Sequence, residues 1–181
     1  MLEDLSHHIL DIGENSMRGG ASSVTISVEE LKREGWLRFS VVDDGRGMDE
    51  ETCRKVVDPF YTTRTTRKVG LGIPFLRQSA ELCEGEFKLE STLGKGTSVL
   101  ATFRYDSIDR PPLGDIPSSI MTLLVEAPRI RWIYRHVVDD RSFTMDIEAI
   151  WEVLGEPEAL SDPSVALWIK DYIGENIGNI R

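Results

Sequence analysis

The stretch Val41-Val-Asp-Asp-Gly-Arg-Gly-Met48 decides how the rest of the chain is read. An apolar run ends abruptly in two acids and two glycines. Paired valines suit an extended strand, and the acids and glycines behind them mark where strand gives way to loop. The strand thus delivers a carboxylate, Asp44, to the end of a sheet. An ionised carboxylate has only acceptor lone pairs, so once covered it needs a donor that fits it, and a purine exocyclic amine is one. Gly45 and Gly47 carry no Cβ, so a flat ring can come close to the backbone behind the acid. Alone, the string is an ordinary strand-to-loop turn; its neighbours on both sides give it chemical meaning.

Upstream, Leu5, Ile9 and Ile12 recur at helical spacing and predict a helix over 5–18 with one buried stripe. Asp11, Asn15 and Arg18 fall at i, i+4 and i+7 and line up on another face. Gly13 costs such a helix ~1 kcal/mol against Ala, which points to something packing closely there. Gly19-Gly20 stops the helix. Val24, Ile26 and Val28 then alternate with Thr25 and Ser27 as a half-buried strand, and 36–42 returns after a turn as the second.

Downstream, 49–57 can form a short helix with Asp49 as its cap. Residues 58–69 show no period. They hold Thr62, Thr63, Thr65 and Thr66 beside Arg64, Arg67 and Lys68, a basic, hydroxyl-rich loop in an acidic protein, which suggests a local anion site. Gly70-Leu71-Gly72-Ile73-Pro74 opens a helix that runs to Cys83. Pro74 fits a first turn, and glycines at a helix N-terminus leave amides open to phosphate. Two alternating strands, 86–91 and 97–105, follow. Residues 1–105 therefore read α-β-β-α-loop-α-β-β: an α+β, two-layer α/β sandwich, its helices on one face of a mixed sheet and its polar motifs at one end.

The 181 residues suffice for one domain, or one domain with a small appendage. The expected division is an α/β sandwich domain over 1–105, a linker over 106–117 carrying Pro111, Pro112, Gly114 and Pro117, and a small C-terminal α/β region over 118–181. In that region a helix capped by Asp115, a hairpin over 131–145 and two further helices are expected. His136, in the hairpin, has no evident carboxylate partner. The net charge of -10 argues against duplex nucleic acid as a partner. Cys53 and Cys83 give no zinc-ligand spacing and read as two reduced thiols. No apolar run reaches the ~18 residues of a membrane span, and the acidic start is unlike a signal peptide, so a cytoplasmic protein is expected.

In order along the chain, Asp11-Ile-Gly-Glu-Asn15-Ser, Asp44-Gly-Arg-Gly47-Met, Pro59-Phe60-Tyr-Thr-Thr-Arg, Gly70-Leu-Gly72-Ile and Gly94-Lys-Gly96-Thr97 resemble the boxes of the GHKL ATPases of the Bergerat fold. That superfamily holds type II topoisomerase subunits, heat-shock chaperones, sensor histidine kinases and mismatch-repair ATPases. The resemblance covers 5–104. Its first box is similar to the mismatch-repair members, and its Pro-Phe-Tyr-Thr-Thr stretch to the histidine kinases. It implies ATP and Mg²⁺ as ligands. Asn15 matches the amide oxygen on the metal, in keeping with a hard cation that prefers oxygen. Asp44 matches the acid on the adenine amino group, with Gly45, Gly47 and Met48 as floor and wall and Thr97 as a nearby hydroxyl. Thr62, Thr63 and Arg64 match the phosphate-side loop, with Lys68 as a further expected phosphate contact, and Gly70, Leu71 and Gly72 match the amides on the phosphates.

Two positions depart from the pattern. Asp11 stands where hydrolytic members carry Glu, one methylene shorter, and is the expected general base. Lys68 replaces a glycine before Gly70. The paired helices that carry a histidine kinase's phosphoacceptor are not found, so a stand-alone domain is expected. His7, at i-4 from Asp11, reads as a helix-end surface histidine. The expected function is to bind Mg-ATP under a lid formed by 58–69 and, by binding or slow hydrolysis, to regulate a partner protein. The alternatives are a protein kinase acting on a separate protein (half of a split histidine kinase, or a serine kinase of the anti-sigma type) and a nucleotide sensor without turnover.

Overall fold

The computed structural model describes residues 4–60 and 71–181. The first part of the chain forms α1 (Leu5–Arg18), β1 (Ser23–Leu31), β2 (Trp36–Asp43), α2 (Glu50–Val56), α3 (Gly72–Leu82), β3 (Phe87–Thr92) and β4 (Gly96–Arg104). The remainder forms α4 (Ile116–Glu126), β5 (Arg131–Val138), β6 (Arg141–Asp146), α5 (Ile147–Leu154), a 3-10 turn (Pro157–Ser161) and α6 (Pro163–Ile180). Asp49 caps α2 by accepting from the Thr52 amide, and Asp115 caps α4 by accepting from Ser118. The 3-10 turn has no counterpart in the sequence expectation.

All six strands lie in one mixed sheet, in the order β3-β4-β2-β1-β5-β6. β1 pairs antiparallel with β2 and parallel with β5, with Ser23 opposite Arg131 and Glu30 opposite Val138. The region after the proline-rich segment therefore continues the sheet begun by 1–105. Along β1 and β2 every second side chain is buried: Val24, Ile26 and Val28, then Leu37, Phe39 and Val41. They pack with Leu5, Ile9 and Ile12 of α1, Leu76 of α3 and Leu123 of α4 in one core. Each such side chain contributes roughly 1.5–3 kcal/mol by leaving water.

α1 is the central helix of the covering layer, between α3 and α4, and α4 in turn packs on α6. Gly13 shows why. A Cβ there would lie 2.6 Å from Leu123 Cδ1, so the missing side chain lets α4 come close. Ser119 Oγ of α4 also donates to the Ser6 carbonyl at 2.8 Å. The packing partner that Gly13 led us to expect is thus α4. Among the described residues no helix is long and apolar enough to cross a membrane.

At the far end of β1 a polar knot interrupts the apolar core. Glu30 and His136 are both 0% exposed. Glu30 Oε1 is 2.9 Å from His136 Nε2, Glu30 Oε2 accepts from the Tyr105 hydroxyl at 2.9 Å, and Arg181 Nε lies 3.2 Å from Oε1. The Tyr134 hydroxyl is 2.6 Å from His136 Nδ1. The expectation that His136 lacks a carboxylate partner is corrected: parallel pairing of β1 with β5 brings Glu30 to it across 106 positions of sequence. Burial pushes the Glu30 carboxyl up, but the hydrogen bonds from His136 and Tyr105 and the Arg181 charge outweigh it and hold the group below its ordinary range. Burial, with Glu30 nearby, pushes the Tyr134 phenol well above its own.

Candidate functional site

Antiparallel pairing of β2 with β4 sets Asp43 opposite Thr97 where the sheet ends. α1 and the start of α3 lie over this end and leave a cleft of about 360 Å³. Its walls are apolar (Ile12, Val41, Ile73, Val99), and its polar groups come from Asn15, Ser16, Asp43 and Thr97. Gly47 and Met48 close one side, and Arg18 and Arg46 stand among the lining residues. An apolar slot with a few convergent polar groups is the usual build of a small-molecule site.

The acid in this cleft is Asp43. Its Oδ1 accepts from the Gly45 amide at 2.9 Å and the Thr97 amide at 3.2 Å, and its Oδ2 accepts from Ser16 Oγ at 2.7 Å. A carboxylate offers about four acceptor positions; three are taken by described residues, and one on Oδ2 has no partner among them. Asp44, expected to meet an adenine amino group, is placed elsewhere. Its side chain is exposed and turned to β1, where it accepts from Ser22 Oγ at 2.5 Å and from the Ser22 and Ser23 amides at 2.8 and 2.9 Å. The Ser22 hydroxyl and these amides hold its carboxyl below the usual carboxylate range. The cause is strand parity. Leu37, Phe39 and Val41 face the core, so the period of two carries Asp43 to that face and Asp44 to the other.

Thr97 is oriented by a residue the sequence reading passed over. Ser91 Oγ donates to the Gly96 carbonyl at 2.9 Å and accepts from the Met48 amide at 2.8 Å. The same oxygen lies 2.8 Å from Thr97 Oγ1, a contact in which either hydroxyl can donate, so Ser91 ties the Met48 amide, the Gly96 carbonyl and the Thr97 side chain together.

Gly47 has φ +67, and a Cβ on it would meet the Thr92 carbonyl oxygen at 2.0 Å. A non-glycine residue held left-handed costs about 1–3 kcal/mol by itself. Gly94 has φ +79 with nothing within 4 Å of the Cβ position. We expect Gly47→Ala to destabilise clearly more than Gly94→Ala in chemical denaturation, the excess measuring the clash. Equal losses would mean that the Met48 loop can move off β3.

Asn15 lines the cleft as expected, while Gly45 is buried beneath it and reaches it only through Asp43. Asp11 is half-buried one turn before Asn15, against the start of α3, and Gly72 makes the room: a Cβ on it would lie 2.8 Å from Asp11 Cβ. Leu71 is the N-cap of α3 and supplies no side-chain cap. Thr62, Thr63, Arg64, Lys68 and Gly70, and with them most of the expected lid, lie outside the described residues. Glu14 is ion-paired with Arg18 at 2.8 Å, and His7 is exposed and paired with Asp4 at 2.8 Å. Among the described residues no group of three or more His, Cys, Asp or Glu side chains could hold a metal.

Residues 2–107 match the family model for histidine kinase-, DNA gyrase B- and HSP90-like ATPases. Sporulation kinase C of Bacillus subtilis is 29% identical over 57% of this chain and 24% of its own length. Sensor protein kinase FleS of Pseudomonas aeruginosa is 34% identical over 60% of this chain and 26% of its own. The chain thus spans about a quarter of the length of these two relatives. Among solved structures, the Aquifex aeolicus MutL ATPase domain complexed with ADP superposes with a TM-score of 0.55 at 15% identity, covering 86% of this chain and 70% of that one. At that identity the likeness is one of fold.

Proposed function

Because this chain belongs to the histidine kinase-, DNA gyrase B- and HSP90-like ATPase family, we propose that it binds ATP with Mg²⁺ in the cleft beneath α1 and α3 and uses binding, or slow hydrolysis, to regulate a partner protein. The observation that carries this is the acceptor left over on Asp43 Oδ2. Adenine's exocyclic amine is a donor and fits an acceptor. Guanine presents a carbonyl at the same ring position and would set acceptor against acceptor. Asn15 contributes its amide oxygen to the metal, which suits a cation that keeps most of its waters. The amides at the start of α3 receive the phosphates, with Arg64 and Lys68 as the proposed cationic contacts. Calorimetry should therefore give saturable binding of Mg-ATP and much weaker binding of Mg-GTP. Equal affinity for the two would remove Asp43 as the base-reading group.

Asp11 is the proposed general base, one turn from Asn15 on the face toward α3. Asp11→Asn should stop phosphate release while leaving ATP affinity intact, the pattern of an interaction made in the transition state. Asn15→Ala should remove the magnesium-dependent part of the affinity. Unchanged turnover in Asp11→Asn would take Asp11 out of the mechanism. The names of the two kinase relatives support a second reading, transfer of the γ-phosphoryl group to a separate protein. Incubation with γ-labelled ATP, alone and with candidate protein acceptors, separates the two: free phosphate marks the ATPase, label on an added protein the kinase.

A further inference from the structure

Outside the family-matched span, α5, β6 and α6 enclose a second groove of about 300 Å³ at the β6 edge of the sheet. Its walls are Met145, Ile150, Val153, Leu154, Trp168 and Tyr172. Val153 is 85% and Trp168 55% exposed, so two large apolar side chains face water side by side. Trp168 stacks on Tyr172 with ring centroids 5.5 Å apart and planes at 12°. Tyr172 in turn rests edge-on against the buried ring of Phe143 at 5.6 Å. The stack is thus seated on the core, with the indole as its outer member.

The charge around this platform is one-sided. Residues 139–181 hold ten acids and three bases. Two of the bases are engaged elsewhere, Arg141 donating to the Arg181 carbonyl at 3.0 Å and Arg181 held on Glu30 at 3.2 Å; the third, Lys170, lies 3.8 Å from Asp115 on the α4 side of α6. Asp171 and Glu175 lie at i+3 and i+7 from Trp168, exposed and in no ion pair among the described residues; with Asp115 and Lys170 they line the depression next to the groove, on the side of α4. An open π-face beside free carboxylates is an arginine- or lysine-binding arrangement.

We propose that this groove docks a partner-protein segment carrying arginine or lysine next to a large apolar side chain. The apolar side chain fills the slot between Val153 and Trp168, and the cation lies over the indole toward Asp171 and Glu175. A second copy of this chain is a poor occupant, since it would bring a net charge of -10 to the same acidic rim. The groove also has a packed route to the nucleotide cleft: α6 rests on α4, and Leu123 of α4 rests on Gly13 of α1, two positions before Asn15.

The test uses the full chain without nucleotide, so it is independent of the ATP reading. Three synthetic peptides of equal length are titrated, leucine–arginine, leucine–glutamate and serine–arginine, with tryptophan fluorescence and calorimetry as readouts. Saturable binding is expected for the leucine–arginine peptide only. Trp168→Ala should weaken it at least about tenfold. Joint Asp171→Asn and Glu175→Gln changes should flatten its salt dependence and serve as the test should Trp168→Ala fail to fold. Equal binding of the leucine–glutamate peptide would reduce the groove to nonspecific stickiness and overturn the proposal. So would affinity unchanged in both variants, or a sedimenting dimer that Trp168→Ala dissolves, which would make a second copy the occupant.

Discussion

Asp43→Asn is expected to cut ATP affinity roughly 5- to 150-fold, ~1–3 kcal/mol, in calorimetry, while Asp44→Asn leaves it unchanged within error. The substitution at Asp43 is nearly isosteric. Its remaining oxygen can still accept from Gly45 and Thr97 in the place of Oδ1. The new amide then takes the place of Oδ2, where it meets Ser16 and turns a donor toward the donor of the base. Asp44 faces β1 and holds Ser22 and Ser23, so its variant tests the same charge change outside the cleft. An affinity loss at Asp44 with none at Asp43 would overturn the assignment of the base pocket.

The other large effect lies at the opposite end of β1. Glu30→Ala is expected to cost about 3–5 kcal/mol in stability, because it leaves His136, Tyr105 and Arg181 around a site built for a carboxylate. The pH dependence has a definite sign. A carboxyl held below its ordinary value in the folded state contributes stability above that ordinary value and loses it as pH falls through the folded value. The native melting temperature should drop in that acid window, and Glu30→Gln should remove this component of the drop while being less stable at neutral pH. A Glu30→Gln protein as stable as the native one, with the same acid profile, would show that the knot does not need its charge.

Much of the architecture was legible because it rests on local periodicity. The stripe of Leu5, Ile9 and Ile12 marks α1 with the bounds observed, and the alternation in β1 and β2 marks a half-buried hairpin. Gly13 was legible as a close approach because a mid-helix glycine has a cost that something must offset. What misled was a choice between neighbours. Asp43 and Asp44 are neighbours at the end of the same strand; counting by twos from Leu37 selects Asp43, whereas adjacency to the glycine points to Asp44. Ser16 and Ser91 carried no local signal, since a serine's role depends on which donors and acceptors the fold brings to it. The Glu30–His136 contact was illegible for the same reason at longer range: nothing within β1 or β5 states that they pair in parallel.

That pairing has a consequence for how the chain comes to exist at all. β1 is covered on one side by β2 almost as soon as it is made, but its other partner follows only when Arg131 joins Ser23, more than a hundred positions later. At the ~5–20 residues per second of synthesis, that is a delay of roughly 5–20 s. For that interval β1 is an open edge with hydrogen-bonding groups that any strand in the cell can take. The buried acid at its end, Glu30, is in the same interval an unsheltered charge. A charge on an unfinished edge disfavours pairing with a stranger, so the residue that locks the finished sheet also guards it while it is being made.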